Sequence, residues 1–403
     1  MHVKKTVVII TNRLVIGGIT NDVISLAHLL KKDFNIHILY GEKEPDEKEA
    51  THLIKNEEGV LFKKIPSLRK SINLFNDVKA YRNLVWEIKK LNCDIVHTHG
   101  SKSGFLGRLA ARKNKVPCIV HTFHGHVFHS YYSLFVSSFI VRFERLMARI
   151  TTVIVAISDQ QGKELSDVYK IAPPEKISVI YLGIDNTLFD GVFESNYVSI
   201  KERFKFSNDT VAIGIIGRMV AIKNYELFAD VAENILASSG GKNVKFFVVG
   251  DGKQKEKLQQ NIEKRNIKWS NEENYSADAQ IIFTSWVSSV NGILKDLDIV
   301  MLTSKNEGTP LSLIEAQFCG KPVIATNVGG VRDTFVNNET GFLIEDHDTV
   351  MFGEKLSLLI KDKELREKMG ASAAKFAAQK FSKEAEVQNI KQLYNNCKPK
   401  TTA

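Results

Sequence analysis

Short apolar runs alternate with longer amphipathic ones along most of this 403-residue chain, and this alternation restricts the fold more than any other feature. In the first half, strand-like runs lie at Thr6–Thr11, Ile36–Tyr40, Asp94–His97, Cys118–His121, Val153–Ile157 and Ile177–Tyr181. Helical patterns lie between them, at Asp22–Lys31, Asn76–Leu91, Phe105–Lys113 and Ser138–Ile150. Strands that alternate with helices form a parallel sheet covered by helices, so the pattern predicts an α/β fold.

The alternation pauses over 183–208 and then starts again. The later strand-like runs are Val211–Ile216, Val244–Val249, Ile281–Thr284, Ile299–Leu302, Pro322–Ala325 and Phe342–Ile344. We therefore predict two facing Rossmann-like, doubly wound domains at 1–190 and 209–375, a linker at 191–208 and a C-terminal helical segment at 376–403. That segment is expected to cross back to the first domain. Open parallel sheets bind ligands at the carboxyl ends of their strands, so the expected site is the cleft between the domains.

The cysteines and the apolar segments indicate a cytoplasmic protein. The four cysteines lie far apart and form no CxxC pair, which argues against a disulfide framework and a zinc knuckle and fits a reducing compartment. Val7–Ile10 is too short for a signal sequence. The longest apolar stretch, Tyr131–Val141, falls short of the ~20 residues of a membrane span. We expect a soluble protein with at most peripheral contact with the inner face of the cytoplasmic membrane.

The net charge of +9 is unevenly distributed. Residues 1–190 hold 27 Lys and Arg against 19 Asp and Glu, whereas the remainder holds 28 against 27. Residues 61–90 alone carry eight basic and two acidic residues, which is consistent either with a solvated helix face or with an anionic partner. Nucleic acid is not the expected partner, because no recognised basic-aromatic module accompanies the charge.

The segment from Glu307 to Glu315, Glu-Gly-Thr-Pro-Leu-Ser-Leu-Ile-Glu, is the strongest chemical signal. We predict a helix with Thr309 as its N-cap and Pro310 at its first position. The first free amides then belong to Leu311 and Ser312, which makes an anion site. Helical spacing places Glu315 on the apolar face, where a carboxylate needs partners such as ligand hydroxyls. The alternatives are a Glu315 that extends its carboxylate to solvent and one that pairs with a structural Arg.

A second signal is the strand-to-helix loop that runs from Gly214 to Asn224. It places Arg218 and Lys223 five residues apart, which suits a diphosphate, although two surface cations on a loop would look the same. The spacing is not GxGxxG, so a dinucleotide site is not expected.

Together these segments resemble glycosyltransferase family 4, the retaining, nucleotide-sugar-dependent enzymes with the GT-B architecture. The resemblance covers nearly the whole chain. It extends to the glycine-rich loop Arg13–Ile19, to Asp94–Gly100 and Thr122–Gly125 in the first half, and to Val179–Asp185, Val248–Gly252 and Gly329–Asp333 further on.

The resemblance implies roles for individual residues. Arg218, Lys223 and the amides of Leu311 and Ser312 would bind the donor diphosphate, and Glu315 would bind the ribose hydroxyls. Glu307 and His124 would contact the transferred sugar, so the catalytic set is His124, Glu307, Arg218 and Lys223. The remaining implied contacts are Gly17 and Gly18 at the phosphate and acceptor, Trp286 and Val287 near the base, and His126 on the acceptor side.

Three positions depart from the family pattern. Leu182 stands where Asn is usual, Ser285 where Gly is usual and Asp333 where Glu is common. These departures affect the expected base contacts more than the chemistry.

Six of the 11 histidines lie within 97–129, but no Cys-rich or Glu-rich stretch accompanies them, so we expect no metal. We interpret His97, His99 and His121 as structural or cleft-lining. No cofactor is expected either, because the nucleotide-sugar is a substrate.

The implied activity is transfer of a hexosyl or N-acetylhexosaminyl unit, with a UDP-sugar as the favoured donor and a lipid-linked carbohydrate as the acceptor, in surface-polysaccharide synthesis. The mixed basic and apolar segments 61–91 and 131–141 would contact an anionic membrane. Two alternatives stay open: a GT-B nucleotide-sugar 2-epimerase, and a non-catalytic sugar-nucleotide-binding partner of another transferase.

Overall fold

A computed structural model describes residues 4–15, 18–44, 47, 49–50, 53–54, 56–71, 73–124, 134–185, 189, 198–207, 209–238, 243–285 and 290–397. These residues form two compact units, Met1–Gly183 with Lys383–Ala403, and Ile184–Ser382. We call them the N-unit and the C-unit.

The N-unit is built on a seven-stranded parallel sheet in the order β3-β2-β1-β4-β5-β6-β7. Its strands are β1 Thr6–Thr11, β2 Asn35–Gly41, β3 Val60–Ile65, β4 Ile95–His99, β5 Cys118–Phe123, β6 Val153–Ala156 and β7 Ile177–Val179. Its helices are α1 Gly18–Leu30, α2 Leu74–Leu91, α3 Ser101–Lys113, α4 Leu134–Ile150, α5 Asp159–Lys163 and, from the end of the chain, α13 Lys383–Asn396. Buried aliphatic side chains fill the space between the sheet and the helices on both faces.

The C-unit repeats the plan with a seven-stranded parallel sheet in the order β10-β11-β9-β8-β12-β13-β14. Its strands are β8 Val211–Ile216, β9 Val244–Val249, β10 Trp269–Asn271, β11 Ile281–Ser285, β12 Ile299–Leu302, β13 Val323–Thr326 and β14 Gly341–Ile344. Its helices are α6 Ile200–Arg203, α7 Tyr225–Ala237, α8 Lys255–Lys264, α9 Val290–Asp296, α10 Leu311–Phe318, α11 Thr349–Lys361 and α12 Lys363–Lys380. Both faces of this sheet are also buried. The prediction of two doubly wound α/β folds is confirmed.

In each sheet the strand order reverses beside the first strand. The reversal lies between β1 and β4 in the N-unit and between β8 and β12 in the C-unit. Loops that leave two such neighbouring strands diverge to opposite faces of the sheet and open a crevice at their carboxyl ends. We call the carboxyl ends of these two strand pairs the β1–β4 edge and the β8–β12 edge, and we expect ligand groups there.

Part of the predicted linker belongs to the C-unit. Within 191–208, Ile200 and Phe204 are buried, and they pack with apolar residues of the sheet such as Ala212 and Phe247. Helix α6, which carries Ile200, begins after a Ser199 side chain that accepts a hydrogen bond from the Lys201 amide. Burial of two large side chains explains why this short segment is helical rather than extended.

The C-terminal helix α13 lies in the N-unit. This agrees with the prediction that the C-terminal helical segment crosses back to the first domain. Tyr394, with no exposed surface, packs edge-on against Phe34 and donates or accepts a hydrogen bond with His97 Nδ1 at 2.7 Å. The cysteine spacing argued against a disulfide framework, and this expectation is wrong for two of the four cysteines. Cys118 at the start of β5 forms a disulfide with Cys397, 279 residues away, because α13 ends beside that strand.

Candidate functional site

The β8–β12 edge of the C-unit carries Arg218, which follows Gly217 directly after β8. Gly217 has a φ of 146°, and its amide donates to Val249 O of β9 at 2.9 Å, which holds the start of the loop against the sheet. A Cβ on Gly250 would lie 2.2 Å from Gly217 O, so the neighbouring Gly250 turn can approach this loop only without a side chain. The Arg218 side chain is exposed, and no described residue pairs with its guanidinium. It is therefore available to an anion.

Lys223, at the end of the same loop, is held by Glu307 from the β12 side. Its Nζ lies 2.7 Å from Glu307 Oε1, and both side chains are mostly buried. Ser304 Oγ donates to the same Oε1 at 2.5 Å. Both contacts use one carboxylate oxygen, so Oε2 is left for a ligand donor. The structure thus brings Arg218, Lys223 and Glu307 to one strand edge.

Helix α10 begins one residue later than predicted. Pro310 has a non-helical ψ of 99° and is itself the N-cap residue, and Thr309 makes no capping hydrogen bond. The prediction of Thr309 as N-cap is therefore wrong; its Oγ1 is buried without a partner among the described residues. The first helical amides still belong to Leu311 and Ser312, and Leu313 N already bonds to Pro310 O at 3.1 Å. These two amides mark the positive end of the helix.

Glu315 lies one turn further along α10. Burial raises its pKa to about 7, and no charge or hydrogen bond from a described residue offsets that effect. A carboxyl group in this position is costly to ionise unless a ligand donates hydrogen bonds to it. No arginine in the described part of the chain pairs with Glu315, so the alternative of a structural ion pair is not supported there.

Strand β11, which was expected to lead to the contacts with the nucleotide base of the donor, ends at Ser285. This residue has a φ of 55°, and the β9–β11 pairing shifts register just before it, which explains why a glycine is favourable here. Lys255 Nζ contacts the Ser285 hydroxyl at 3.0 Å. Trp286 and Val287 lie outside the described residues, so their predicted contacts with the base stay predictions.

In the N-unit, His124 follows strand β5, which pairs with β4. Its Nε2 lies 2.7 Å from His99 Nδ1 at the end of β4, and the two ring centres are 5.0 Å apart. Burial lowers the pKa of His124, Asp22 raises it, and Lys383 lowers it. Burial also holds the pKa of His99 well below its usual range and that of His97 at about 3. The cluster is neutral near pH 7.

Most of the other predicted N-unit contacts involve residues that the structure does not describe. Gly17 and His126 are not among the described residues, and Gly18 is the first residue of α1. The structure adds an ionic group at this helix, however. Lys383 Nζ bonds to Glu386 Oε2 at 2.6 Å and to Asp22 Oδ1 at 2.5 Å, with all three side chains nearly buried.

Two residues near the C-unit cluster escaped the sequence reasoning. Ser304 binds Glu307, and its position two residues past a buried strand was a signal that could have found it. Tyr225 has a buried hydroxyl without a described partner, and burial together with the charge of Glu307 raises its pKa. No sequence spacing indicates that Tyr225 lies near Glu307.

The C-unit edge thus combines cations, helix amides and two carboxyl groups. Cations and amides together bind phosphate oxygens, whereas carboxylates accept hydrogen bonds from hydroxyls. Within the described ranges, no three His, Cys, Asp or Glu side chains are placed to hold a metal ion. The helices of those ranges also include none that is long and apolar enough to cross a membrane.

Comparisons with known proteins place this geometry in a family. Residues 16–188 match the model described as Glycosyltransferase Family 4, and residues 199–376 match that described as Glycosyl transferases group 1. An Escherichia coli UDP-Gal:alpha-D-GlcNAc-diphosphoundecaprenol alpha-1,3-galactosyltransferase is 32% identical over 82% of each chain. The capsular polysaccharide biosynthesis glycosyltransferase CapM of Staphylococcus aureus is 28% identical over 91% of each chain.

Solved structures agree on the fold. Anabaena HepE in complex with UDP superposes with a TM-score of 0.79 at 16% identity, covering 97% of this chain and 99% of that one. With both halves matched by glycosyltransferase models and with the two parallel-sheet units of the GT-B architecture, this chain belongs to glycosyltransferase family 4 and is a glycosyltransferase.

Proposed function

We propose that this glycosyltransferase moves a hexosyl or N-acetylhexosaminyl unit from a UDP-sugar to a hydroxyl of a lipid-linked sugar, with retention of anomeric configuration, in cell-surface polysaccharide synthesis. The observation that carries the proposal is the group at the β8–β12 edge. Among the described residues, Arg218 has no ion-pair partner, Lys223 binds Glu307, and the partly buried Glu315 has no partner for its carboxyl group. UDP and a diphosphoundecaprenol acceptor occur in the name of the Escherichia coli relative, which supports both substrate classes.

The C-unit residues would stabilise the departing nucleotide diphosphate. Negative charge grows on its oxygens as the bond to the anomeric carbon breaks. Arg218, Lys223 and the amides of Leu311 and Ser312 supply positive charge and donors that are fixed before the reaction. This set gives the enzyme a way to balance the charge with its own side chains, so we propose a reaction that needs no divalent metal.

Glu307 would position the sugar. With Oε1 engaged by Lys223 and Ser304, its second oxygen can accept from a sugar hydroxyl. The carboxylate then orients the ring rather than attacking it. In the proposed mechanism, the acceptor hydroxyl attacks from the face that the phosphate leaves, and the phosphate takes the proton. His124 would contact the same sugar from the N-unit.

The test is transfer by the purified full-length chain from labelled UDP-galactose, UDP-glucose and UDP-N-acetylglucosamine to polyprenyl-diphosphate-linked N-acetylglucosamine. We expect one UDP-sugar to yield a product with retained configuration by NMR. An inverted product would overturn the retaining mechanism. Conversion of a UDP-sugar into its 2-epimer without acceptor would overturn the transfer proposal in favour of the epimerase.

We also propose that helices α2 and α4 contact an anionic membrane that carries the acceptor. On α2, Phe75 is 89% exposed and Trp86 57%, and on α4, Phe139 is 71% exposed. Lys63 and Lys90 lie over the Trp86 ring at 5.2 and 5.3 Å. Aromatic side chains beside cations suit the boundary between lipid headgroups and acyl chains.

The sequence around helices α3 and α4 is strongly basic. Residues 101–150 contain eight basic residues and a single acid, Glu144. Glu144 is buried against Arg108, whereas Arg142 and Arg145 of α4 are exposed. Helix α3 joins the two surfaces, since it packs against both α2 and α4.

Vesicle flotation tests this contact. The double variant Phe75→Ser/Trp86→Ser should lose binding to vesicles that contain phosphatidylglycerol, whereas Val350→Ser, at a 68% exposed position of the C-unit, should not. Equal binding of the wild type to neutral and anionic vesicles, unaffected by salt, would contradict the proposal.

A further inference from the structure

The contact between His99 and His124 links two imidazoles that are adjacent because of strand register. His99 is the last residue of β4 and pairs with Thr122 on β5, so His124 emerges directly beside it. The distance from His99 Nδ1 to His124 Nε2 is 2.7 Å, which is a hydrogen bond and requires one proton between the two nitrogens. Each neutral imidazole has one N–H and one acceptor nitrogen.

The proton count makes the two rings interdependent. If His99 Nδ1 donates, then His124 carries its own proton on Nδ1 and His99 Nε2 is an acceptor. If His124 Nε2 donates, then His124 Nδ1 becomes the acceptor and His99 Nε2 carries the proton. Both outer nitrogens are buried and have no partner among the described residues. The hydrogen bond between the rings therefore decides what His124 offers to a ligand.

The neighbouring histidines have other partners. His97 bonds through Nδ1 to Tyr394 Oη and through Nε2 to Thr122 Oγ1, both at 2.7 Å. His121 Nδ1 bonds to Thr98 Oγ1 at 2.9 Å. Asp22 and Lys383, with opposite charges, act on His124 from α1 and α13 and partly cancel. Among the described residues, His99 is thus the direct hydrogen-bond partner of the His124 ring.

We propose that His99 is a positioning residue for His124: its Nδ1 fixes the orientation of the His124 ring and the nitrogen that carries the proton, and so sets the direction of the hydrogen bond to the transferred sugar. The assignment of the sugar contact rests on the proposed function. The coupling between the two rings rests on the geometry of the N-unit alone.

Three variants separate positioning from packing. His99→Leu fills the same space without a hydrogen-bonding group. His99→Asn keeps a donor or acceptor near the position of Nδ1. His121→Leu is the matched control, since it also removes a buried histidine but one bonded to Thr98 instead of His124.

The readout is the ¹⁵N spectrum of the His124 ring in full-length protein labelled at histidine, assigned with His124→Gln. We expect one tautomer in the wild type, in His99→Asn and in His121→Leu, and a mixture in His99→Leu. Loss of one neutral hydrogen bond should also lower kcat/KM about 3- to 10-fold in His99→Leu, and His99→Asn should recover most of it. An unchanged His124 spectrum in His99→Leu would overturn the proposal.

The spectrum needs no transfer activity, so the two proposals can fail separately. A mixture in His99→Leu without any transfer by the wild type would contradict the proposed function and keep the coupling. Transfer with a wild-type His124 spectrum in His99→Leu would do the reverse.

Discussion

Replacement of Glu315 by Gln should make the free protein more stable at high pH. The Glu315 carboxyl has a pKa of about 7 in the folded chain against an ordinary value of 4.5, because burial disfavours the charge. The folded state therefore holds a proton that the unfolded state releases between these pH values. Stability from this group is fully present below pH 4.5 and falls as pH rises through 7. The difference corresponds to about 3 kcal/mol.

Urea denaturation of wild type and Glu315→Gln at pH 5 and pH 8.5 measures the effect. Gln resembles the protonated carboxyl and does not titrate, so the variant should exceed the wild type by less than about 1 kcal/mol at pH 5 and by about 3 kcal/mol at pH 8.5. Glu339→Gln replaces an exposed carboxyl of the same unit and is the control. It should show no such pH-dependent gain.

The same variant should bind UDP more weakly than the wild type, since an amide is a poorer acceptor for two ribose hydroxyls than a carboxylate. A stability difference between variant and wild type that does not change with pH would refute the reasoning that burial raises the pKa of Glu315.

Two other perturbations test local features, and each has its own control. Glu144→Gln should lower the free energy of unfolding by about 3–5 kcal/mol in urea denaturation, because it leaves Arg108 buried without its charge partner. The double variant Arg108→Met/Glu144→Leu should recover most of this loss. Equal losses in the two variants would contradict this reasoning. Gly250→Ala should weaken UDP binding in a titration, because Gly250 has a φ of 130° and the new Cβ would lie 2.2 Å from Gly217 O. The control is Gly353→Ala in α11, where a Cβ meets nothing within 4 Å and the free energy of unfolding should rise by about 0.5–1 kcal/mol. Unchanged UDP affinity in Gly250→Ala would show that the loop tolerates the new Cβ.

The buried strands were readable from sequence because both faces of a parallel sheet are covered. Val211–Ile216 is a continuous apolar run and Val244–Val249 is interrupted only by Lys245, and their bounds agree with β8 and β9. The strands β3 and β10 were missed. Strand β3 lies at a sheet edge and carries Lys63 and Lys64, and β10 has only three residues, so neither shows a buried pattern.

The site was readable only where its residues are close in sequence. The Glu307–Glu315 segment and the Arg218–Lys223 loop are each visible as local patterns, and the structure joins them through the Lys223–Glu307 contact. The Thr309 cap was wrong because the ψ of Pro310 is not helical, which no residue preference fixes. The Cys118–Cys397 bridge depends on where a helix ends 279 residues later, and spacing carries no information about that.

The most direct test of the account is a thermal-shift panel of UDP-, GDP- and ADP-sugars on wild type and Arg218→Ala. We expect stabilisation by UDP-sugars in the wild type, and a roughly 10- to 150-fold loss of affinity in the variant, since one charge-assisted contact contributes ~1.5–3 kcal/mol. Equal stabilisation of both proteins by a UDP-sugar would contradict the diphosphate site at Arg218, and stabilisation by GDP- or ADP-sugars alone would contradict the UDP donor.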